Sequence, residues 1–188
     1  SLLGVEPSYA AFARAVVDAL DEPAVLVVHS GAGALVPAIV EAAGSRVTAV
    51  VFVDATLPYP GRAWVETVPA EMAAHLRSLA GADGLLPPWH EWFPAQALAG
   101  LLPDPAVREA FCAEVPRLPL RYLEEVTPAV DGWRALPSAY VQLSEVYDDA
   151  AAQARRWGWR VDRVDGHHLS PVTEPAVVAA AVVAAARG

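Results

Sequence analysis

The sequence contains no lysine and no asparagine, and all 13 of its basic residues are arginine. Without lysine it cannot form a Schiff base or a phosphate-binding P-loop. Without asparagine it cannot carry an N-linked glycan. The one cysteine, Cys112, cannot form an internal disulfide or a cysteine-based zinc site. A single cysteine suits a reducing compartment, so we expect a cytoplasmic protein. The Ala-rich composition, with arginine as the only basic residue besides histidine, is typical of a GC-rich bacterial genome.

Long apolar runs and basic clusters are also missing. No run reaches the roughly 18 residues of a membrane span, and no signal peptide is visible. A net charge of -9 disfavours binding to nucleic acid or to an anionic membrane. The 188 residues, 55% of them hydrophobic, predict one globular domain with a sizeable core. We expect a small-molecule substrate as the partner, with no cofactor and no metal, and the sequence does not indicate an oligomeric state.

The first third of the chain alternates between helices and strands. Residues 8–20 predict an amphipathic helix with a serine N-cap. Apolar runs over 24–28 and 47–53 predict strands that are buried on both faces, with a helix over 34–43 between them. Pro37 lies inside that helix, and we expect a kink there. The order of these elements predicts a βαβ unit with parallel strands.

The rest of the chain interrupts this alternation and then resumes it. Residues 62–135 are rich in proline and predict broken helices without a strand. Strands are predicted over 138–143 and 159–164, with a helix over 148–157 between them. A final helix is predicted over 173–186, with Thr173 as its cap. The fold class is therefore α/β: a parallel sheet with helices on both faces and a helical insertion.

The most informative motif is Val-His-Ser-Gly-Ala-Gly over 28–33, between a strand and a helix. It is typical of a nucleophile elbow, in which Ser30 occupies a sharp, strained turn. The N–H of Gly31 is the candidate donor to a developing oxyanion. Val28 departs from the motif, because a glycine is usual at that position. We expect His29 to pack against a neighbouring loop and include it among the candidate substrate-binding residues.

These features resemble the α/β-hydrolase superfamily over nearly the whole chain. The resemblance implies a hydrolase core of residues 1–61 and 136–188, with a helical cap over 62–135. It also implies further strands and a second oxyanion donor ahead of the elbow strand. Only about twenty residues precede that strand, so we expect a chain that is incomplete at its N-terminus.

The resemblance further implies a triad in the chain order serine, acid, histidine. His168 lies in a Gly-His-His loop before the last helix, and its spacing to Pro175 matches the family's catalytic histidine. The acid is open. Asp54, at the end of the second strand, is the first candidate, and Asp148 and Glu145, after the third strand, are the alternatives.

The aromatic residues of the insertion are the candidate substrate contacts. Trp89 and Trp92 are three residues apart and could share a helical face that suits an apolar substrate. We therefore predict a hydrolase that acts on a small, apolar ester or related acyl substrate through a Ser-His-Asp triad and an acyl-enzyme. The alternatives are a non-hydrolytic enzyme of the same fold (a lyase, cyclase or acyltransferase) and a non-catalytic member that binds a ligand.

Overall fold

A computed structural model describes residues 2–188 of the chain. Within them, four parallel strands form one sheet in the order β1-β2-β3-β4. The strands are β1 Ala24–Ser30, β2 Val47–Ala55, β3 Ser138–Gln142 and β4 Arg160–Arg163. The predicted parallel α/β architecture is confirmed. β1 forms one edge of the sheet, where Val25 and Val27 are 37% and 48% exposed.

Helices connect and cover these strands. The α-helices are α1 Tyr9–Asp18, α2 Val36–Ala43, α3 Ala70–Leu79, α4 Ala95–Leu101, α5 Pro105–Glu114, α6 Leu120–Glu124, α7 Asp148–Arg156, α8 Ser170–Thr173 and α9 Pro175–Ala186. Short 3₁₀ helices add Gly31–Leu35, Gly44–Arg46, Trp64–Glu66, Trp89–Glu91, Gly132–Ala135 and Glu145–Tyr147. None of these helices, within residues 2–188, has the length and apolar content that a membrane crossing needs.

The two faces of the sheet carry separate parts of the core. On β2, Val50 and Phe52 join the cluster that packs against α1, α2 and α7. Val51 and Val53 point to the opposite face and pack against α9, beside Val178. Side chains that alternate in this way are apolar on both faces, because helices cover both sides of a parallel sheet.

Residues 62–135 lie between β2 and β3 and consist of short helices joined by proline-containing turns. They have a small core of their own, formed by Leu76, Leu86, Trp92 and Leu123. The predicted N-cap of α1 is confirmed, because the Ser8 hydroxyl accepts a hydrogen bond from the backbone of Ala11.

Two local predictions were wrong. The chain after β1 forms a 3₁₀ helix first and α2 begins at Val36, so Pro37 lies in the first turn. Backbone N–H groups in the first turn of a helix have no intrahelical partner. The N–H that proline lacks therefore costs no hydrogen bond, and the helix is not interrupted. Thr173 does not cap the last helix, because it belongs to α8 and Glu174 occupies the cap position of α9.

Candidate active site

Ser30 stands at the carboxyl end of β1 in a strained conformation. Its backbone has φ 57° and ψ -133°, which a residue with a side chain rarely adopts. The 3₁₀ helix that starts at Gly31 turns sharply away from the strand. A Cβ atom on Gly33 would lie 1.9 Å from the carbonyl oxygen of Thr56, so this helix approaches β2 closely only because residue 33 is glycine. The geometry is that of the predicted elbow.

Asp54 lies in an irregularity of β2 directly opposite the elbow. His29 pairs with Val53 and Ser30 pairs with Ala55, so Asp54 is an extra residue in the ladder. Its φ of 41° is the other positive value among the non-glycine residues that the structure describes. A β-bulge redirects a side chain locally. Here the bulge accompanies a carboxylate that reaches across the sheet edge toward the histidine loop.

His168 joins the serine and the carboxylate. Its Nδ1 lies 2.8 Å from Asp54 Oδ2, and its Nε2 lies 3.0 Å from Ser30 Oγ. Because an ionised carboxylate only accepts hydrogen bonds, Nδ1 carries the proton and donates it. Nε2 then has a free lone pair that accepts the Ser30 hydroxyl proton. The side chain of His168 is 14% exposed and that of Asp54 is fully buried.

Asp54 is held by more than the histidine. Its Oδ1 accepts the backbone N–H groups of Leu143 at 2.9 Å and Ser144 at 3.0 Å, and its Oδ2 accepts the Ser144 hydroxyl at 2.7 Å. Burial by itself would raise the pKa of this carboxyl. The hydrogen bonds from His168, from the Ser144 side chain and from the two backbone groups outweigh burial and lower the pKa of Asp54. The group therefore remains ionised near neutral pH.

Three aromatic rings surround the imidazole of His168. His29 stacks on it with centroids 4.5 Å apart, Tyr147 stacks at 5.2 Å, and Trp89 lies at 6.3 Å. His29 Nε2 also donates a hydrogen bond to the backbone oxygen of His168 at 2.9 Å, so it packs against the histidine loop. Burial and then the neighbouring His168 lower the pKa of His29, which keeps this second imidazole neutral.

The alternative acids do not reach the histidine. Asp148 is exposed and contacts Gln142 and Arg163, and Glu145 is exposed in the preceding 3₁₀ helix. The adjacent His167 makes its hydrogen bonds to Leu169, Ser170 and Thr173. Its Nδ1 accepts the N–H of Leu169, and its Nε2 lies 3.2 Å from Thr173 Oγ1.

The two tryptophans are separated. Trp89 contacts His168, whereas Trp92 is 9% exposed and donates its indole N–H to the carbonyl oxygen of Pro87 at 2.8 Å. Trp92 thus belongs to the core of the insertion, while Trp89 lies beside the candidate base.

Sequence reasoning missed three residues around this centre. Ser144 binds Asp54 and the Tyr147 hydroxyl lies 3.5 Å from Ser30 Oγ. Tyr140 braces the chain just after the bulge, because its hydroxyl donates to the oxygen of Ala55 and accepts from its N–H. Only Tyr147 had a signal in the sequence, because it lies between Glu145 and Asp148, the two alternative acids after the third strand.

A cavity of about 600 Å³ lies in the insertion. Its walls come from α4, α5 and the segment that follows Trp89, and it does not include Ser30, Asp54 or His168. The lining residues are His90, Glu91, Phe93, Ala95, Leu98, Pro105, Arg108, Glu109 and Cys112. Trp89 contacts Phe93, which lines the cavity, and also contacts His168.

The chain matches a known protein family. Residues 2–181 match the model of a family described as the alpha/beta hydrolase family. The chain belongs to the alpha/beta hydrolase family. The match covers all of the chain except its first residue and its last seven. A comparison with curated proteins found no match.

Solved structures share the fold of this alpha/beta hydrolase. An extracellular alpha/beta-hydrolase from Paenibacillus superposes with a TM-score of 0.77 at 21% identity, over 95% of this chain and 79% of that one. Methylketone synthase I from tomato, complexed with 2-tridecanone, gives 0.65 at 14%, over 96% and 79%. A methylesterase from Arabidopsis gives 0.61 at 13%, over 96% and 78%. At these identities the likeness concerns the fold.

Proposed function

We propose that this alpha/beta hydrolase is a serine esterase that cleaves small, apolar carboxylic esters through an acyl-enzyme on Ser30. The observation that carries the proposal is the unbroken hydrogen-bonded chain from Ser30 through His168 to Asp54, with separations of 3.0 and 2.8 Å. Nucleophile, base and orienting acid within hydrogen-bond reach are the arrangement that activates a serine hydroxyl.

In the proposed mechanism Ser30 Oγ attacks the ester carbonyl carbon while His168 Nε2 takes the hydroxyl proton. The N–H of Gly31, in the first turn of the 3₁₀ helix, stabilises the oxyanion. The carbon–oxygen bond to the alcohol then breaks, and His168 returns the proton to the leaving oxygen. Water attacks the acyl-enzyme by the same route and releases the carboxylic acid. Asp54 stays ionised and stabilises the imidazolium throughout.

The surroundings of the triad support an apolar substrate. Trp89 lies beside His168 and offers an apolar wall to a substrate bound at Ser30. We propose Trp89 and His29 as the residues nearest to the bound substrate. The single Cys112 motivates a cytoplasmic location as a further part of the proposal.

A second candidate is a non-hydrolytic reaction at the same three residues. It is favoured by the likeness to methylketone synthase I, whose structure holds a ketone. One fold hosts many chemistries, so the site must decide between the two.

Stopped-flow hydrolysis of p-nitrophenyl acetate tests the proposal. We expect a burst of one p-nitrophenol per active site and then a slower steady state, because acylation by this activated ester is faster than deacylation. Ser30→Ala abolishes both phases, whereas Ser78→Ala, an exposed serine of α3, leaves them unchanged. Turnover that survives Ser30→Ala in the folded protein would overturn the esterase proposal.

A further inference from the structure

The hydroxyl of Tyr147 lies beside the candidate nucleophile without a strong hydrogen bond to it. It is 3.5 Å from Ser30 Oγ, whereas O–H···O bonds are usually about 2.7–2.8 Å. Among residues 2–188, Ser30 is the one hydrogen-bond partner of this hydroxyl. The phenolic proton is therefore available to another oxygen that enters the site.

The position of Tyr147 is fixed by the acid of the triad. Asp54 accepts the N–H groups of Leu143 and Ser144 and the Ser144 hydroxyl. These residues lead directly into the 3₁₀ helix Glu145–Tyr147. The same carboxylate thus orients His168 and anchors the turn that presents Tyr147, which preorganises both side chains toward Ser30.

Stacking places the phenol next to the catalytic imidazole. The two rings are 5.2 Å apart and within 16° of parallel, so both present an edge to Ser30 Oγ. Burial raises the pKa of Tyr147, and the Asp54 charge adds to the rise, although the contact with Ser30 opposes it. The phenol is protonated at neutral pH and acts as a donor.

We propose that Tyr147 is a further catalytic residue, whose phenol donates a hydrogen bond to the alkoxy oxygen of the departing alcohol. This inference rests on the proposed function. As the carbon–oxygen bond breaks, negative charge develops on that oxygen, and His168 delivers the proton that Ser30 gave up. Tyr147 keeps its own proton and stabilises the charge from beside the imidazole. The N–H of Gly31 stabilises the charge on the other oxygen, which comes from the ester carbonyl.

A series of acetate esters tests the role of Tyr147. kcat/KM is compared for the wild type and Tyr147→Phe with p-nitrophenyl, phenyl, trifluoroethyl and ethyl acetate. The charge on the leaving oxygen, and with it the value of a donor, grows as the alcohol becomes less acidic. We expect a small loss with p-nitrophenyl acetate that rises to about 100-fold with ethyl acetate, comparable to the loss of one transition-state donor.

Tyr122→Phe is the matched control, because Tyr122 is, like Tyr147, a half-buried tyrosine, and it packs against Tyr9 and Phe12. We expect it to match the wild type for every ester. Tyr147→Leu also lacks the hydroxyl and should show the same trend, which keeps the test valid if Tyr147→Phe folds poorly. Circular dichroism and Tm establish that each variant is folded.

Two results overturn the inference. An equal loss for all four esters would place the phenol on the carbonyl oxygen, and no loss would make it a bystander. Failure of the esterase proposal itself looks different, since the wild type would then not form an acyl-enzyme on Ser30.

Discussion

Asp54→Asn is the substitution that separates the proposed triad from a fortuitous contact. The side chain keeps its size, and Oδ1 can still accept the N–H groups of Leu143 and Ser144. The amide nitrogen takes the place of Oδ2, which accepts His168 Nδ1–H and the Ser144 hydroxyl. A donor would then face a donor at Nδ1, so the imidazole must move its proton to Nε2.

The expected loss of activity follows from this change in the tautomer of His168. With a proton on Nε2, His168 has no lone pair to accept the hydrogen of Ser30, and general-base catalysis is lost. The corresponding substitution in a serine protease triad lowers kcat by about 10⁴. We expect a loss of the same order here. The buried carboxylate also loses charge-assisted hydrogen bonds, and we expect the free energy of unfolding to fall by about 1–3 kcal/mol.

The assay is hydrolysis of p-nitrophenyl acetate by the wild type, Asp54→Asn and Asp148→Asn, with urea unfolding of each. Asp148 is exposed and pairs with Arg163, so its substitution should leave kcat within about twofold of the wild type, as for a surface change. If folded Asp54→Asn keeps more than a tenth of kcat, or if Asp148→Asn shows the large loss, the assignment of the acid is wrong.

Two stability predictions concern residues that position the site. Gly33→Ala should lower the free energy of unfolding in urea by about 1–3 kcal/mol, because its Cβ would overlap the Thr56 carbonyl. Gly100→Ala, in open space on α4, should instead add about 0.5–1 kcal/mol; equal effects would contradict the close approach. The pKa of His29 is lowered on folding, so the unfolded chain binds more protons and stability falls as the pH drops below about 6.5. His29→Gln should therefore flatten the loss of stability between pH 7.5 and 5; an unchanged slope for His29→Gln would refute the lowered pKa of this half-buried imidazole.

Much of the framework is encoded locally and could be predicted. The runs over 24–28 and 47–53 are continuous and apolar, which is the signature of strands covered on both faces. The small residues after Ser30 indicate a tight turn at a strand end. The resemblance singled out His168 in the Gly-His-His loop before the last helix. In the structure, Nε2 of His168 lies 3.0 Å from Ser30 Oγ.

The bulge that positions Asp54 and the hydrogen bonds around its carboxylate could not be predicted, because they arise from contacts between distant segments. Asp54 turns toward His168 at an extra residue in the β1–β2 ladder, and nothing in the local sequence marks that bulge. The Ser144 hydroxyl meets Asp54 across 90 positions, and Tyr147 meets Ser30 across 117. The prediction for Thr173 failed for a related reason: Thr173 is the last residue of the short helix α8, and its hydroxyl lies 3.2 Å from Nε2 of His167.

Mass spectrometry after treatment with a fluorophosphonate tests the proposed nucleophile most directly. We expect one adduct per chain on the peptide that contains Ser30, no adduct in Ser30→Ala, and labelling that is slowed by orders of magnitude in folded His168→Ala. A folded wild-type chain that is not labelled at Ser30, or that is labelled equally fast without His168, would contradict the proposed Ser30–His168 pair.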